Sequence, residues 1–375
     1  MLYEHQQGQD STWSPYLYIL PAEFDTPIFW TEQELKSLKG SALPNKIGKK
    51  SADATFHEQI FPVVRNNQEA FKATSLTDED LLKLCHRLAS TIMAYAFDLE
   101  PTLEQQKEQE DGWEEDSDEG SSGPPAAKGM VPLADMLNAD ADRNNAKLFY
   151  EDEAVVMRAI VPIAAGEEIF NDYGLLPRAD VLRRYGYVTE NYAKYDVVEI
   201  PAQMIMEVAA KGQGKKRVEE LEKREAYLME QGVADEAYDV YGLDSEDGPV
   251  PEELAIVLNA LCISDEDFEK LSKKDKLPKP EPTVDAKKLL FDVLSTRLAD
   301  YPGDSKLSQS GENSGTTYRH NMAHQVVEGE KSILTGLAKF YAAGNEQREE
   351  ALVNATSEEF EIADNDRSSK RRRLA

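Results

Sequence analysis

The sequence predicts an α+β protein of two domains, and three of its features lead to that prediction. At 375 residues the chain has room for two domains of roughly 100–200 residues each. Between Met130 and Tyr187, short apolar runs alternate with turn-forming residues, which is typical of paired strands. After about Val197, apolar residues recur at helical spacing instead. The strands are therefore expected in the first domain and helices in the second.

The charge of the chain restricts its partners. Acidic residues number 71 against 42 basic ones, which gives a formal net charge of -29 at pH 7. Such a surface repels phosphate backbones, so direct nucleic-acid binding is not expected, whereas basic proteins should be attracted to it. No segment approaches the roughly 20 apolar residues of a membrane span, so no membrane partner is expected, and there is no signal-peptide pattern.

Cysteine and histidine are too sparse to predict a disulfide framework or a metal site. Cys85 and Cys262 lie far apart in sequence and are expected to be buried thiols in a reducing compartment. His320 and His324 have the spacing of a helical metal site, but no Glu follows His320 as in His-Glu-x-x-His. No metal is therefore predicted.

The first hundred residues are expected to be mainly helical. Residues 13–21 are apolar enough to belong to a core, and Thr31 with Glu34 forms a capping box that begins a short helix. A longer helix is predicted from Thr77 to Phe97, with Thr77 as its N-cap. Helical spacing predicts that its buried face holds Leu81, Leu84, Leu88, Ile92 and Tyr95.

An acidic, polar segment at about residues 101–128 interrupts this half. It cannot bury enough apolar surface to offset its ordering entropy, so a disordered loop is predicted, and an alternative is an acidic lure for a basic substrate. Beyond it, residues 146–150 and 154–160 are predicted to pair as a hairpin. A short helix is predicted from Pro177 to Tyr185, with Gly186 ending it.

The second half is predicted to be helical up to about residue 345. Helices are expected at residues 215–231, from Pro251 onward, at 284–298 and at 317–341. Residues 346–375 are expected to form a polar, partly disordered tail. Its run Lys370–Arg373 is explained equally well as a nuclear-localisation signal or as a solvated basic end, so the nucleus, the cytoplasm or both are expected.

Three segments carry polar groups within apolar surroundings and are the candidates for a functional site. They are Met130–Asn138, Glu168–Gly174 and Leu182–Tyr187. Buried polar side chains need hydrogen-bond partners, so their presence in such runs indicates more than packing. A tyrosine at the end of a strand is nevertheless most often a packing residue.

Together these segments resemble the SET-domain protein lysine methyltransferases of the Rubisco large-subunit methyltransferase-like class, and within it the fungal ribosomal lysine methyltransferase 4 group and its animal relative, SET-domain-containing protein 6. The matching stretches are residues 131–139, 166–174 and 185–187. Residues 13–16, 28–30 and 93–97 look like the family's inserted helical section, and residues 328–334 are similar to a signature of its helical substrate-binding domain.

The resemblance implies an architecture. Residues 1–197 would form a SET-type β-sheet knot with a helical insertion at about 13–97, and residues 198–345 an all-α substrate-binding domain. The family's SET fold begins with strands that carry a Gly-x-Gly loop near the cofactor, and no such segment precedes Trp13. The expectation is a chain that lacks these first strands, as from a mis-assigned start codon.

The resemblance also implies a reaction, methyl transfer from S-adenosylmethionine to a lysine, and the residues for it. Tyr173 would be the tyrosine beside the methyl group, and Asp135 a support for the knot. Cofactor-binding residues would be Tyr95, Asn138, Ala139, Tyr173 and Tyr185, and substrate-binding residues Trp30, Ala96 and Asp98. Most of the class has His where this chain has Ala139, a change that the fungal ribosomal group tolerates. From the residues alone, Tyr95 and Trp30 are explained equally well as core aromatics.

The resulting expectation is a monomeric protein-lysine N-methyltransferase acting on a basic protein, in particular a protein of the large (60S) ribosomal subunit. The rival is a non-catalytic SET-like module that binds a basic protein, motivated by the missing Gly-x-Gly segment. An acidic chaperone for ribosomal proteins would share the charge argument, but it leaves the segments around Asn138 and Tyr173 unexplained.

Overall fold

The computed structural model describes residues 1–99, 127–151, 154–246, 248–302 and 314–342, with side chains of the last range from 317 onward. The chain divides into two compact units. The first comprises Met1–Leu35 and Leu43–Ala193, and the second comprises Lys36–Ala42 and the chain from Lys194 onward. The predicted acidic loop, up to residue 126, and the predicted polar tail lie outside the described residues. No helix in the described ranges has the length and apolar character that crossing a membrane requires.

The first unit begins with helices, as the sequence predicts. Its helices before the first strand are α1 (Leu2–Gln7), α2 (Ser14–Ile19), α3 (Glu32–Leu35), α4 (Leu43–Lys46), α5 (Lys49–Thr55), α6 (Phe61–Asn66) and α7 (Asp78–Tyr95). The capping box before α3 is confirmed, since the amide of Thr31 donates to Glu34 Oε2 at 2.7 Å and the amide of Glu34 donates back to Thr31 Oγ1.

Helix α7, with 18 residues, is the longest among the described helices of this unit and begins where its cap predicts. Thr77 Oγ1 accepts from the Asp80 amide at 3.1 Å, and three acids follow in the first turn. The predicted buried face is wrong at its end: Ile92 is 37% exposed, while Leu81, Cys85 and Leu88 form the buried stripe. Helical spacing locates an apolar stripe but does not say how far along the helix a neighbour covers it.

Four strands follow, in two antiparallel pairs. Strand β1 (Ala96–Leu99) pairs with β2 (Ala127–Met130), and β3 (Ala146–Glu151) pairs with β4 (Ala154–Ala159). The β3–β4 hairpin is confirmed. The predicted helix end at Phe97 is wrong by two residues, because Ala96 is extended (φ -81°, ψ 141°) and begins β1. The last residues of the predicted acidic loop, 127 and 128, belong to β2, where pairing with β1 supplies the order that composition alone does not.

A crossing of two chain segments completes this unit. Ala139 and Asn171 form a parallel bridge, in which the Asn171 amide donates to the Asn138 carbonyl at 2.8 Å and the Asp140 amide donates to the Asn171 carbonyl at 3.1 Å. Helix α8 (Arg178–Tyr185) then ends at Gly186, which has φ 78° and confirms the predicted stop. The crossing brings two of the three candidate segments side by side.

The second unit is mainly helical. It contains β5 (Val197–Pro201), α9 (Ala202–Ala210), α10 (Lys215–Glu230), β6 (Ala237–Tyr241), α11 (Glu252–Cys262), α12 (Asp265–Ser272), α13 (Val284–Leu298) and α14 (Ser314–Ala342). The expectation of helices alone is corrected in one respect, since β5 and β6 pair antiparallel. Val198, Ile200, Tyr238 and Val240 alternate along the two strands and enter the core with α11, α13 and α14.

Arg224 on α10 is a buried cation that supports the end of α11. Its guanidinium donates to the main-chain oxygens of Ala260 at 2.6 Å and Ile263 at 2.8 Å, and it pairs with Asp265. We expect Arg224→Ala to lower the free energy of unfolding by about 3 kcal/mol, because these oxygens lose their buried donor. Denaturant titration measures this. Lys223→Ala, an exposed neighbour on α10, should change stability by less than about 0.5 kcal/mol. Equal effects of the two substitutions would contradict the assignment.

Candidate active site

A cavity of about 320 Å³ lies in the first unit, where the crossing segments meet β1, β3 and α8. This volume is within the range of ligand pockets, roughly 300–1,000 Å³. Tyrosine rings and carboxylates dominate its wall. The lining residues are Ala94, Tyr95, Ala96, Phe97, Asp98, Asp135, Lys147, Leu148, Tyr150, Asn171, Asp172, Tyr173, Gly174 and Tyr185.

Tyr173 lies in this wall directly after the crossing. Its hydroxyl donates to the Leu137 carbonyl at 3.2 Å, and its ring stacks on Tyr185 with centroids 4.4 Å apart and planes 18° apart. Burial, followed by the neighbouring Tyr185 and Tyr187, raises the pKa of Tyr173 well above its usual value. The phenol therefore stays protonated at physiological pH, so it can orient a reacting group by hydrogen bonding but does not act as a general base.

The end of α8 positions Tyr185. Gly186 takes the left-handed conformation there, and a Cβ at this position would lie 2.9 Å from the Thr26 amide nitrogen. Only glycine allows this turn and this close approach of the two backbones. The Tyr185 ring thereby stacks on the Tyr173 ring. The centroids of the Tyr185 and Tyr187 rings are 6.3 Å apart. Burial also raises the pKa of Tyr185.

Asp135 is a buried carboxylate in the cavity wall, and the sequence analysis gave it only a supporting role. It is 4% exposed, and its Oδ2 accepts a hydrogen bond from the Tyr16 hydroxyl. Its Oδ1 has almost no accessible surface. Burial raises the pKa of Asp135, and hydrogen bonds from Tyr16 and from the main chain at Asp135 and Leu133 act in the opposite direction. A carboxylate within an apolar run was the sequence signal for this group, since it requires a partner.

Charged residues also belong to the cavity lining. Asp98 on β1 forms an ion pair with Lys128 on β2, and its carbonyl accepts from the Tyr150 hydroxyl at 2.5 Å. Lys147 and Asp172 also line the cavity. Sequence reasoning missed Tyr150 because alternation along β3 gave it no distinctive signal.

Asn138 and Ala139 lie at the crossing but not in the cavity lining. The Asn138 side chain is exposed, and its amide donates to Glu168 Oε1 at 2.6 Å. Its carbonyl is bonded to Asn171, and Asn171 does line the cavity. The backbone pairing thus places Asn138 and Ala139 beside Asn171 and outside the cavity lining.

The remaining candidates divide into two groups. Tyr95, Ala96 and Asp98, at the junction of α7 and β1, line the cavity together with Tyr173 and Tyr185. Trp30 is absent from the lining, is buried, and its indole nitrogen donates to the Asp25 carbonyl at 2.7 Å. Its observed contacts are those of a packing aromatic that holds the 25–30 turn.

Comparisons with known proteins identify relatives of both halves of the chain. Residues 13–174 match the model of the SET domain, and residues 216–334 match the model of the Rubisco LSMT substrate-binding domain. Ribosomal lysine N-methyltransferase 4 of Saccharomyces cerevisiae is 36% identical over 55% of this chain and 42% of its own length. N-lysine methyltransferase SETD6 of Rattus norvegicus is 29% identical over 88% of this chain and 70% of its own. The chain thus spans less than half the length of the yeast relative.

Solved structures show the same fold. The SET domain of LSMT bound to lysine and AdoHcy superposes with a TM-score of 0.58 at 18% identity, covering 91% of this chain and 73% of that one. Rubisco LSMT bound to AdoMet superposes with a TM-score of 0.55 at 19% identity, covering 92% and 73%.

Proposed function

Because this chain belongs to the SET-domain protein lysine methyltransferases that carry a Rubisco LSMT-type substrate-binding domain, we propose that it transfers methyl groups from S-adenosylmethionine to a lysine of a basic protein, in particular a large-subunit ribosomal protein. One observation carries the proposal: Tyr95, Tyr173 and Tyr185, which come from three separate segments, line one cavity, and the rings of Tyr173 and Tyr185 stack there.

The wall of the cavity suits a methyl transfer. When bound, S-adenosylmethionine supplies a methyl group on a positively charged sulfur, and the lone pair of the lysine nitrogen bonds to that carbon while the C–S electron pair passes to the sulfur. The faces of Tyr95, Tyr173 and Tyr185 exclude water and attract positive charge, which suits both a sulfonium and an ammonium. The Tyr173 hydroxyl orients the reacting groups, and such alignment supplies much of the rate.

The acidic wall of the cavity suits an incoming lysine. Free lysine has a pKa near 10.4 and arrives as an ammonium ion. The carboxylates of Asp98 and Asp172 in the lining attract that ion, and desolvation in the cavity lowers the pKa of the amine. The ammonium loses its proton to solvent before attack, since the protonated phenol of Tyr173 does not accept it. Tyr173 therefore aligns the substrate.

The substrate class follows from charge. A net charge of -29 accelerates encounter with a basic protein in a salt-dependent way, and Asp98 and Asp172 continue that charge to the cavity. The yeast relative is named as a ribosomal lysine methyltransferase. We propose a location in the nucleus, the cytoplasm or both, because Lys370–Arg373 fits a nuclear-localisation signal or a solvated basic end equally well; that segment lies outside the described residues.

The non-catalytic alternative gains no support, because the two curated relatives compared above are both named as lysine methyltransferases. The chain keeps tyrosines in the cavity wall, which a simple binding module does not require.

The test combines S-adenosylmethionine and the purified chain with separate large-subunit ribosomal proteins, non-ribosomal basic proteins and acidic proteins. We expect mass spectrometry to find methyl groups on lysines of ribosomal proteins, with a rate that falls as salt concentration rises. Methylation confined to non-ribosomal basic proteins would reject the ribosomal substrate alone. An absence of methylated lysine in every sample, together with measurable binding of S-adenosylmethionine, would reject the enzyme.

A further inference from the structure

The segment of residues 131–138 holds the acceptor of the Tyr173 hydroxyl. That acceptor is the Leu137 carbonyl, and the two oxygens are 3.2 Å apart. Directly before it lies a single 3₁₀ turn, Ala134–Met136, and the Leu137 amide closes this turn by donating to the Ala134 carbonyl at 3.3 Å. The direction of the Tyr173 hydroxyl therefore depends on where this turn is held.

The backbone is strained at Leu133, the residue before the turn. Its φ of 76° and ψ of -39° are values that residues with a Cβ rarely adopt. The Leu133 side chain is 76% exposed, so its own packing does not compensate for the strain. Strained backbone persists only where surrounding contacts hold it. Other groups must therefore keep this segment in place.

The buried carboxylate of Asp135 supplies contacts of this kind. It accepts main-chain hydrogen bonds from Leu133, the strained residue, and from Asp135 itself. Its Oδ2 also accepts from the hydroxyl of Tyr16 on α2, 119 positions earlier in the sequence. Two bonds thus attach the carboxylate to its own turn, and the third attaches it to a helix from a distant part of the chain. The Tyr16 hydroxyl therefore links the position of the turn to α2.

We propose that Tyr16 is a positioning residue for Tyr173. Its hydroxyl holds the Asp135 carboxylate, and the turn that this carboxylate anchors places the Leu137 carbonyl, which orients the Tyr173 hydroxyl. The inference rests on the proposed function and extends it to a residue outside the cavity lining. Misplacing an aligning group by about 1 Å costs up to about 100-fold in rate, so a small movement of the turn is enough to slow methyl transfer.

The first test needs neither substrate nor cofactor. In the full chain labelled with carbon-13 at the tyrosine ζ carbon, the Tyr173 resonance is the one that Tyr173→Phe removes, and its chemical shift reports the hydrogen bond of that hydroxyl. We expect Tyr16→Phe to move this resonance, because the turn is no longer attached to α2. Asp135→Asn weakens the same hydrogen bond and should move it as well.

Tyr18→Phe is the matched control for this measurement, since Tyr18 also lies on α2 and is 89% exposed. It should leave the Tyr173 resonance in place. A resonance that stays at the wild-type position in Tyr16→Phe would overturn the inference.

Kinetics separates positioning from general structural support. With S-adenosylmethionine saturating and the protein substrate varied, Tyr16→Phe should lower kcat about tenfold and change KM less than about threefold, because alignment is lost rather than binding. In a Tyr173→Phe background there is no hydroxyl to orient, so adding Tyr16→Phe should lower kcat less than about twofold. Equal losses from Tyr16→Phe in both backgrounds would overturn the inference.

The two readouts distinguish this inference from the proposed function. If the wild-type chain methylates no lysine although Tyr16→Phe moves the Tyr173 resonance, the proposed function is rejected and the link between Tyr16 and Tyr173 stands. If the wild type is active and the resonance does not move, the inference alone is rejected. Thermal unfolding shows whether each variant is folded, and if Tyr16→Phe is not, the spectrum and rates of Asp135→Asn decide with the same expected outcomes.

Discussion

Tyr173→Phe is expected to retain the fold and lose most of the methyl transfer, with kcat falling about 100-fold. The phenylalanine ring should remain stacked on Tyr185, so packing is preserved. The substitution removes only the hydroxyl group, which donates to the Leu137 carbonyl. Removing a single pre-organised donor from an active site costs about this much in other enzymes. Because the pKa of Tyr173 is raised, ionisation of this phenol should cause no change in the wild-type rate below pH 10.

Single-turnover kinetics with saturating S-adenosylmethionine measures the effect. Tyr187→Phe is the matched control, because Tyr187 belongs to the same aromatic cluster but not to the cavity lining. Its rate should remain within about threefold of wild type. If the two variants have equal rates, the role assigned to Tyr173 is wrong.

The second large effect concerns Glu330, a buried carboxylate in the second unit. It is 5% exposed and accepts hydrogen bonds from Ser41 at 2.8 Å and Tyr301 at 2.7 Å. Burial raises the pKa of Glu330 to about 7, although both hydrogen bonds and Arg297 oppose the shift. Ser41 belongs to the segment Lys36–Ala42, so this hydrogen bond connects that segment to α14 within the second unit.

The sign of the pH dependence follows from this shift. The folded state binds the Glu330 proton more tightly than the unfolded state, whose pKa is near 4.5. The stabilisation is therefore fully present below about pH 4.5 and is lost as pH rises through about 7. Between pH 5 and 8 we expect the unfolding free energy of wild type to fall by up to about 3 kcal/mol relative to that of Glu330→Gln.

Chemical denaturation followed by circular dichroism measures this difference, with hydrogen exchange in α14 as a local readout. Glu328→Gln is the control, since Glu328 lies on the same helix and is exposed. It should follow the wild-type pH dependence. Parallel pH curves for wild type and Glu330→Gln would show that the Glu330 proton is not linked to folding.

Local chemistry was sufficient for elements whose signals are close in sequence. Caps, alternation and helical spacing operate over a few residues, so they can be recognised in the sequence. They correctly predicted the Thr77 cap, the hairpin of β3 and β4, the end of α8 at Gly186 and the bounds of α13. The β5–β6 pair was missed although both strands alternate. Each has only five residues, and their partnership spans about forty positions.

The candidate site shows the same division. Tyr95, Ala96, Asp98, Tyr173 and Tyr185 were selected from motifs and do line one cavity. Asn138, Ala139 and Trp30 were selected in the same way and lie outside its lining, because motif membership does not specify the direction of a side chain.

The sequence alone determined the α+β class, the bounds of α8 and α13 and several of the residues that line the cavity. Only the tertiary structure decided that Tyr16 bonds to Asp135, 119 residues away, and that Ser41 bonds to Glu330, 289 residues away. The physical reason is that burial and hydrogen-bond partners depend on contacts between distant segments, and these contacts set whether a carboxylate is charged, oriented or neutral.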